Sequence, residues 1–558
     1  MNQEQVINSA LWAAFGDALG FITELGDAKV VQYRLHGQAQ GWGEKAWRRR
    51  IGGKYGVEIS LPAGTYSDDT QLRLAVSRSI TGNGVFQREA FAKIELPVWR
   101  AYALGAGVGS LAAAENLIKS SANWHSNQFI NKDANYYKGG GNGAAMRIQP
   151  HIWAATDIRY PKAYLLDVLA DAIITHGHGR GILGAAFHAI CLASTLTNGS
   201  PISPKLWREA INFLYDVPSI MEKELEMSSI WIQQWQIDTK ENFKTHVNVI
   251  VNEFAEAIQA FDEFSSGSPA MRYEQFAKKI NAVGGEEVGS GVKTSILAMA
   301  AAYLFRAENP LSCIKTVAGL LHSDTDTIAT MAGALIGTFA KEVPPYPIQD
   351  SNYIKSEAVR LVQISKKERP LSFFYPSIVS WKSARSPLEQ VYVNNNDFYL
   401  AGLGKLELSS VSYENKTTVW SWGTLPFGQS VLTKRRPTIR ESKEPPLIGA
   451  YGTTKTSVNS LSTFKDFSEN LQSKHQNDVY ATHNTLLDLF CESNNDELQS
   501  NKICKNGGSI VDVINEIEKK DFKPEDIGRV LLDTLASNQF MHASEFLLLL
   551  YKKYHSQK

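Results

Sequence analysis

The chain has 558 residues, 43% of them apolar and 10% aromatic, which is enough for a large core and too long for one compact domain. Lysine plus arginine and aspartate plus glutamate number 57 each, so no net field draws the molecule to nucleic acid or to an anionic membrane. Any charged partner is met locally.

The stretch from Ala10 to Leu25 is apolar but holds Asp17 and Glu24 and follows no basic segment, so it reads as a core helix rather than a signal peptide. No window approaches the roughly 20 uncharged apolar residues of a membrane span. Cys191, Cys313, Cys491 and Cys504 lie far apart without paired metal spacing, which fits a reducing compartment. The expectation is a cytoplasmic protein with no membrane partner.

From Gln5 to about Lys341 apolar residues recur at three- and four-residue spacing, predicting a mainly helical region. Val6, Ala10, Ala13, Asp17 and Gly20 mark one helix; Ile328, Met331, Leu335 and Phe339 mark another. Glycines cluster at Gly139, Gly140, Gly141 and Gly143, and again at Gly284, Gly285, Gly289 and Gly291, predicting loops whose backbone approaches a ligand closely. After Pro344 and Pro345 the pattern changes: Lys405 to Tyr413 and Thr417 to Trp422 alternate like strands around a turn at Glu414 to Lys416. The predicted layout is a compact all-helical domain over 1–347, a β-containing extension over 348–433, a Ser/Thr/Lys/Pro-rich linker over 434–474 and a helical module over 475–558, the last marked by Ile510, Val513, Ile514 and Ile517 and by Ile527, Val530 and Leu531.

Two segments put hard oxygen ligands at helix N-termini: Ser67, Asp68, Asp69 and Thr70, and Asp324, Thr325, Asp326 and Thr327. Such residues also cap helices. A cap needs one acceptor, however, whereas each segment carries two acids that repel one another unless a cation compensates. Carboxylates and hydroxyls without imidazole or thiolate suit magnesium or manganese rather than zinc, and two metals about 3.5–4 Å apart can orient a water and a substrate hydroxyl together.

With these residues in view the chain resembles the ADP-ribosylglycohydrolase family, over about residues 5 to 345. The motifs are Gly16-Asp17-Ala18-Leu19-Gly20 with Glu24, Ser67-Asp68-Asp69-Thr70, Gly141-Asn142-Gly143-Ala144-Ala145-Met146-Arg147, Thr175-His176, and Asp324-Thr325-Asp326-Thr327, in the family's order. The resemblance implies a central cleft holding two magnesium ions, which manganese could replace. Ser67, Asp68 and Asp69 match one ligand group, and Asp324, Asp326 and Thr327 the other. Gly141, Asn142, Gly143 and Ala144 match a loop against the ADP-ribose, Gly289, Ser290 and Gly291 a second glycine loop, and His176 a histidine near the site. Glu24 and Asp324 are the implied catalytic carboxylates.

Plainer readings stand beside these. Gly16 and Gly20, one turn apart, also suit close helix packing; His176 also suits a hydrogen-bonded helix end; Asn142 and Gly143 suit an ordinary turn. The chain departs from the family in carrying His322 and Ser323 where two glycines are common, and no acid between Gly105 and Gly109. The predicted function is hydrolysis of the bond between ADP-ribose and an acceptor, a protein side chain, nucleic acid or small molecule. An alternative is an ADP-ribose- or nucleotide-binding sensor of the same fold that signals through its C-terminal region, which would contact a protein partner.

Overall fold

A computed structural model of the protein describes residues 2–37, 42–439 and 441–453. Its first helix, α1 (Gln3–Thr23), starts where the Asn2 side chain accepts the amide of Glu4 at 3.0 Å. The elements that concern the site then follow in order: the hairpin β1 (Trp47–Ile51) and β2 (Val57–Leu61), α2 (Asp68–Arg78), α3 (Leu165–Thr175), α4 (Gly179–Asn198), α5 (Gly291–Leu304), α6 (Thr325–Gly337) and α7 (Ser351–Ser365). Both α1 and α4 are long and apolar enough by composition to cross a bilayer, yet their most apolar stretches are 94% and 83% buried inside the protein. They form the core of this helical domain.

The tightest contact is between α1 and α6. A Cβ on Gly16 would lie 2.1 Å from the Ala329 carbonyl oxygen, and one on Gly20 would lie 2.4 Å from the Asp326 Cα. From the opposite side, Gly333 and Gly337 meet the Trp12 and Asn8 carbonyl oxygens at 2.2 and 2.5 Å by the same measure. Only glycine permits backbones this close. Hydroxyls knit the seam, with Ser9 Oγ donating to the Ala334 carbonyl (2.6 Å), Thr330 Oγ1 to Ala13 (2.8 Å) and Thr325 Oγ1 to Gly20 (3.0 Å).

The region after 347 does not stand apart from this domain. Helix α7 packs on α1, and its buried Glu357 accepts from Ser77 Oγ of α2 (2.5 Å) and from Arg360. Strands follow: β3 (Ser372–Phe374), β4 (Val391–Asn394), β5 (Asp397–Leu400), β6 (Gly404–Lys405), β7 (Glu407–Glu414), β8 (Val419–Thr424), β9 (Ser430–Arg435) and β10 (Ala450–Gly452). They form two three-stranded antiparallel sheets, β4-β5-β6 and β7-β8-β9, and a separate pair in which β10 lies against β3. The predicted hairpin is therefore β7–β8, extended by a third strand. Phe373, Val391, Leu400 and Val431 belong to the same hydrophobic core as α1 and α6. Buried Arg78 of α2 donates to Gln429 (2.6 Å), and the Lys434 amide to the Ala101 carbonyl (2.9 Å). The stretch read as linker from 434 thus begins inside the fold, because β10 pairs with a strand far back in the chain. The rest of that linker and the predicted helical module over 475–558 lie outside the described residues.

Two consequences can be measured. Gly333→Ala should lower the stability of the full chain by about 1–3 kcal/mol, read as a fall in Tm, since the new methyl meets backbone rather than a yielding side chain. A chain ending at Pro347 should aggregate or lose cooperative melting, because the core face of α1 and the partners of Ser77 are stripped. A soluble, cooperatively melting product of that length would show the boundary at 347 to be real.

Candidate active site

Asp17, in the middle of apolar α1, is fully buried and organises the first acid segment. Its carboxylate accepts the Ser67 amide (2.8 Å), the Thr70 amide (2.8 Å) and the Thr70 hydroxyl (2.5 Å). Ser67 Oγ accepts the Asp69 amide at 3.3 Å. The first turn of α2 is therefore capped chiefly by Ser67 and Asp17; the Asp68 carboxylate takes backbone amides at Gly107 and at its own residue, and the Asp69 carboxylate lies outside the cap. Asp69 Oδ2 accepts from Ser67 Oγ (3.1 Å) and Thr327 Oγ1 (3.4 Å), while its buried Oδ1 has no partner within the protein.

The second segment is built alike. Asp324 is the N-cap residue of α6, yet its side chain makes no capping bond. Its Oδ2 instead accepts from Asn142 Nδ2 at 2.9 Å, and the same amide group donates to Thr294 Oγ1 at 3.0 Å. Asp326 caps locally, accepting the Thr327 amide at 2.9 Å. Its Cα is the one against Gly20, so the packing and site readings of Gly16 and Gly20 are a single fact: the glycines bring α1 close enough to set the acids of α6 beside those of α2.

Glu24, Asp68, Asp69, Asp324 and Asp326 line one cleft of about 290 Å³. Burial pushes the carboxyls of Asp68, Asp69 and Asp326 well above the usual range, and repulsion from neighbouring acids adds to it, from Glu24 at Asp68 and Asp326 and from Asp17 at Asp68 and Asp69. Burial likewise raises Glu24, opposed by Arg49, whose guanidinium reaches its Oε2 at 2.7 Å.

The opposite wall consists of the two glycine loops, which are paired to one another. Gly141 and Ser290 form an isolated antiparallel bridge, and the Gly291 amide donates to the Gly140 carbonyl at 2.9 Å. Fully buried Arg147 holds the first loop from behind, donating to the Gly143 carbonyl (2.8 Å), to Asp171 Oδ1 (2.9 Å) and to Thr175 Oγ1 (2.9 Å). Gly141, Asn142, Gly143, His176 and Gly289 face the cleft, as do Phe129 and Tyr136. Ala144, Ser290, Gly291 and Ser67 sit just behind its surface; Ser290 Oγ is buried without a protein partner.

His176 is a C-cap residue whose Nδ1 is 2.7 Å from Thr175 Oγ1. Burial, with Arg147 nearby, pushes its pKa down to about 3, so it is a neutral hydrogen-bonded ring beneath the glycine loop and not a proton donor at neutral pH. His322 does not line the cleft. It is exposed with φ +66, in the left-handed region where glycine is most at ease, and its carbonyl accepts the Gly284 amide at 2.8 Å. Ser323 turns its hydroxyl onto the Leu320 carbonyl at 2.7 Å. The loop from Gly105 to Gly109 lies against Asp68, where a Cβ on Gly105 would come 3.4 Å from Asp68 Oδ1.

Several residues that matter here received no role from the sequence. Asp17, inside a quoted motif, was detectable as an acid at the centre of an apolar helix. Arg147, at the end of another quoted motif, received no role there, and Arg49 and Arg73 stood in no motif. Arg73 is buried and donates to Thr70 Oγ1 (2.7 Å) and Thr330 Oγ1 (2.9 Å).

The cleft thus sets the carboxylates of both acid segments opposite the paired glycine loops. The chain belongs to the ADP-ribosylglycohydrolase family, whose model matches residues 2–367. Membership supports a hydrolase acting on ADP-ribose linkages. A solved structure described as an ADP-ribosylglycohydrolase-related protein complex is 18% identical, with 65% of this chain and 98% of that chain covered at a TM-score of 0.38. No curated protein matches the chain.

The histidine geometry makes a pH prediction. The folded pKa of His176 lies below its unfolded value of 6.5, so the stability associated with its neutral form is present above pH 6.5 and is lost as pH falls towards 3. Ring ¹⁵N shifts of His176 should stay those of a neutral imidazole down to about pH 4. A midpoint near 6.5 would place the ring in water rather than under the loop.

Proposed function

We propose that the protein hydrolyses the glycosidic bond between ADP-ribose and an acceptor, with two magnesium ions in the cleft. The observation that carries this reading is that the carboxylates of Asp68, Asp69, Asp324 and Asp326 crowd one cleft walled by glycine backbone, with the buried Asp69 Oδ1 left without any partner in the protein. Among the described residues no three His, Cys, Asp or Glu side chains are already gathered as one ligand group. The acids instead ring the cleft, with the hydroxyls of Ser67 and Thr327 beside Asp69. The donor set nevertheless suits a hard divalent cation, because every member is oxygen and its negative charge is opposed only in part, by Arg49 at Glu24 and by Arg73 near Asp69.

Ser67, Asp68 and Asp69 would hold one ion, and Asp324, Asp326 and Thr327 the other. When bound, magnesium supplies positive charge for the ribose hydroxyls and makes a nearby water more acidic. The protein does the rest. Paired loop amides around Gly141, Gly143 and Gly289 cradle phosphate without a cationic side chain. Asn142 holds Asp324 in a fixed rotamer facing the substrate. Glu24 or Asp324 orients the water and takes its proton as the oxygen adds to the anomeric carbon, the acceptor leaves with the glycosidic electrons, and the sugar passes through an oxocarbenium-like state. We further propose a cytoplasmic enzyme acting on an ADP-ribosylated protein or nucleotide, with the chain beyond 453 available to a protein partner.

Incubation with a panel of ADP-ribosylated proteins, nucleic acids and small molecules should release free ADP-ribose when magnesium or manganese is present, and zinc should not replace them. Asp326→Ala should lose at least about 100-fold in kcat while its melting curve remains cooperative. Full turnover in excess chelator, or a wild-type rate for Asp326→Ala, would contradict the proposal.

A further inference from the structure

Glu24 follows the last turn of α1, and the residue after it, Leu25, has φ +52, so the helix alone does not fix its side chain. The fixing comes from β1. Arg49, at the centre of that strand, donates to Glu24 Oε2 (2.7 Å) and to the Phe21 carbonyl (3.0 Å), and its guanidinium lies 4.2 Å over the Phe21 ring. Arg34 secures the backbone, donating to the Glu24 carbonyl at 2.7 Å. An arginine held at three points has little rotamer freedom left to give its partner.

The two-stranded hairpin β1–β2 cannot bury its own apolar face. The sheet β7–β9 covers it. Trp420 of β8 and Leu432 of β9 join Phe21, Ile22, Trp47, Ile59, Leu61 and Leu104 in a small second core. The Trp420 ring lies over the hairpin's turn, where a Cβ on Gly52 would come within 2.8 Å of it, and Asn415 Nδ2 donates to the Tyr55 carbonyl at 3.1 Å. Trp47 stands edge-on to Phe21 at 5.3 Å between ring centres. Trp420, Leu432 and Asn415 all lie beyond residue 367, where the family match ends.

We propose that Arg49 is a positioning residue for Glu24, and that the strand-bearing extension holds Arg49 in place through Trp420, so that the extension completes the active site without touching the substrate. This rests on the hydrolase reading of the same cleft. Displacing a catalytic carboxylate by about 1 Å is worth on the order of 100-fold in rate, whereas the loops that bind ADP-ribose lie on the opposite wall and keep their contacts. The signature is therefore a fall in kcat with KM unchanged.

The test uses the full chain and whichever ADP-ribosylated substrate the wild type cleaves. Arg49→Met should lower kcat roughly 10- to 100-fold with KM within about twofold, and Arg49→Lys should recover part of the loss. Trp420→Ala should fall about 10-fold in kcat, Trp420→Phe should keep most of the rate, and the Arg49→Met/Trp420→Ala double variant should be no slower than Arg49→Met alone, because the two act in series. Wild-type kcat in Arg49→Met, singles whose losses multiply in the double variant, or kcat and KM moving together would overturn the proposal. If Trp420→Ala fails to melt cooperatively, the Arg49→Lys and Arg49→Met pair decides, and equal losses in both count against it. A wild type that cleaves nothing sinks the hydrolase reading itself, an outcome distinct from an active wild type matched by Arg49→Met.

Discussion

The site depends on the backbone-to-backbone contact of α1 with α6. At Gly20 there is room for no atom between the two helices, and the residue on the far side is Asp326. Asp17, one turn earlier on α1, reaches across to take the Ser67 and Thr70 amides at the α2 terminus. One helix thus fixes two others by their N-terminal ends, the ends at which free amides and the helix dipole favour acids. A side chain at Gly16 or Gly20 would push the acid segments apart, so these glycines bear on chemistry through packing.

Once the segments are adjacent, electrostatics sets their use. Five carboxylates share a buried cleft, and the caps at the two segments come chiefly from Asp17, Ser67 and Asp326. Such crowding costs free energy unless protons or cations intervene, which is why burial and the neighbouring acids, Glu24 and Asp17 among them, raise Asp68, Asp69 and Asp326. Across the cleft, Arg147 and Asp171 bury a salt bridge whose outlet is the Gly143 carbonyl. That pair fixes the shape of the glycine loop from outside the cleft, leaving its surface to backbone.

Much of this was legible in the sequence because it is local. The 3.6-residue periodicity marks α1 and α6, and the two acid segments declare themselves by carrying more oxygen than a cap can use. What was not legible depends on distant pairing. The change of composition at Pro344 looks like a domain boundary, yet it is only the turn between α6 and α7, and nothing in the strand pattern tells that Phe373 and Val431 share a core with α1. Likewise β10 is three residues in a polar stretch, and only its pairing with β3 makes it a strand. Arg49 reads as one of three consecutive arginines, and its neighbours Arg48 and Arg50 face away from Glu24. His322, where the family commonly has glycine, keeps a left-handed backbone and is exposed to solvent.

The central claim is that the two acid segments form one cation-binding cleft. Anomalous diffraction from crystals of the full chain soaked in manganese tests it most directly. The account predicts two peaks in the cleft, one beside Asp68 and Asp69 and the other beside Asp324 and Asp326, both abolished in crystals of Asp69→Ala/Asp326→Ala. A cleft without anomalous signal at saturating manganese, with the acids bonded only to protein and water, would contradict it.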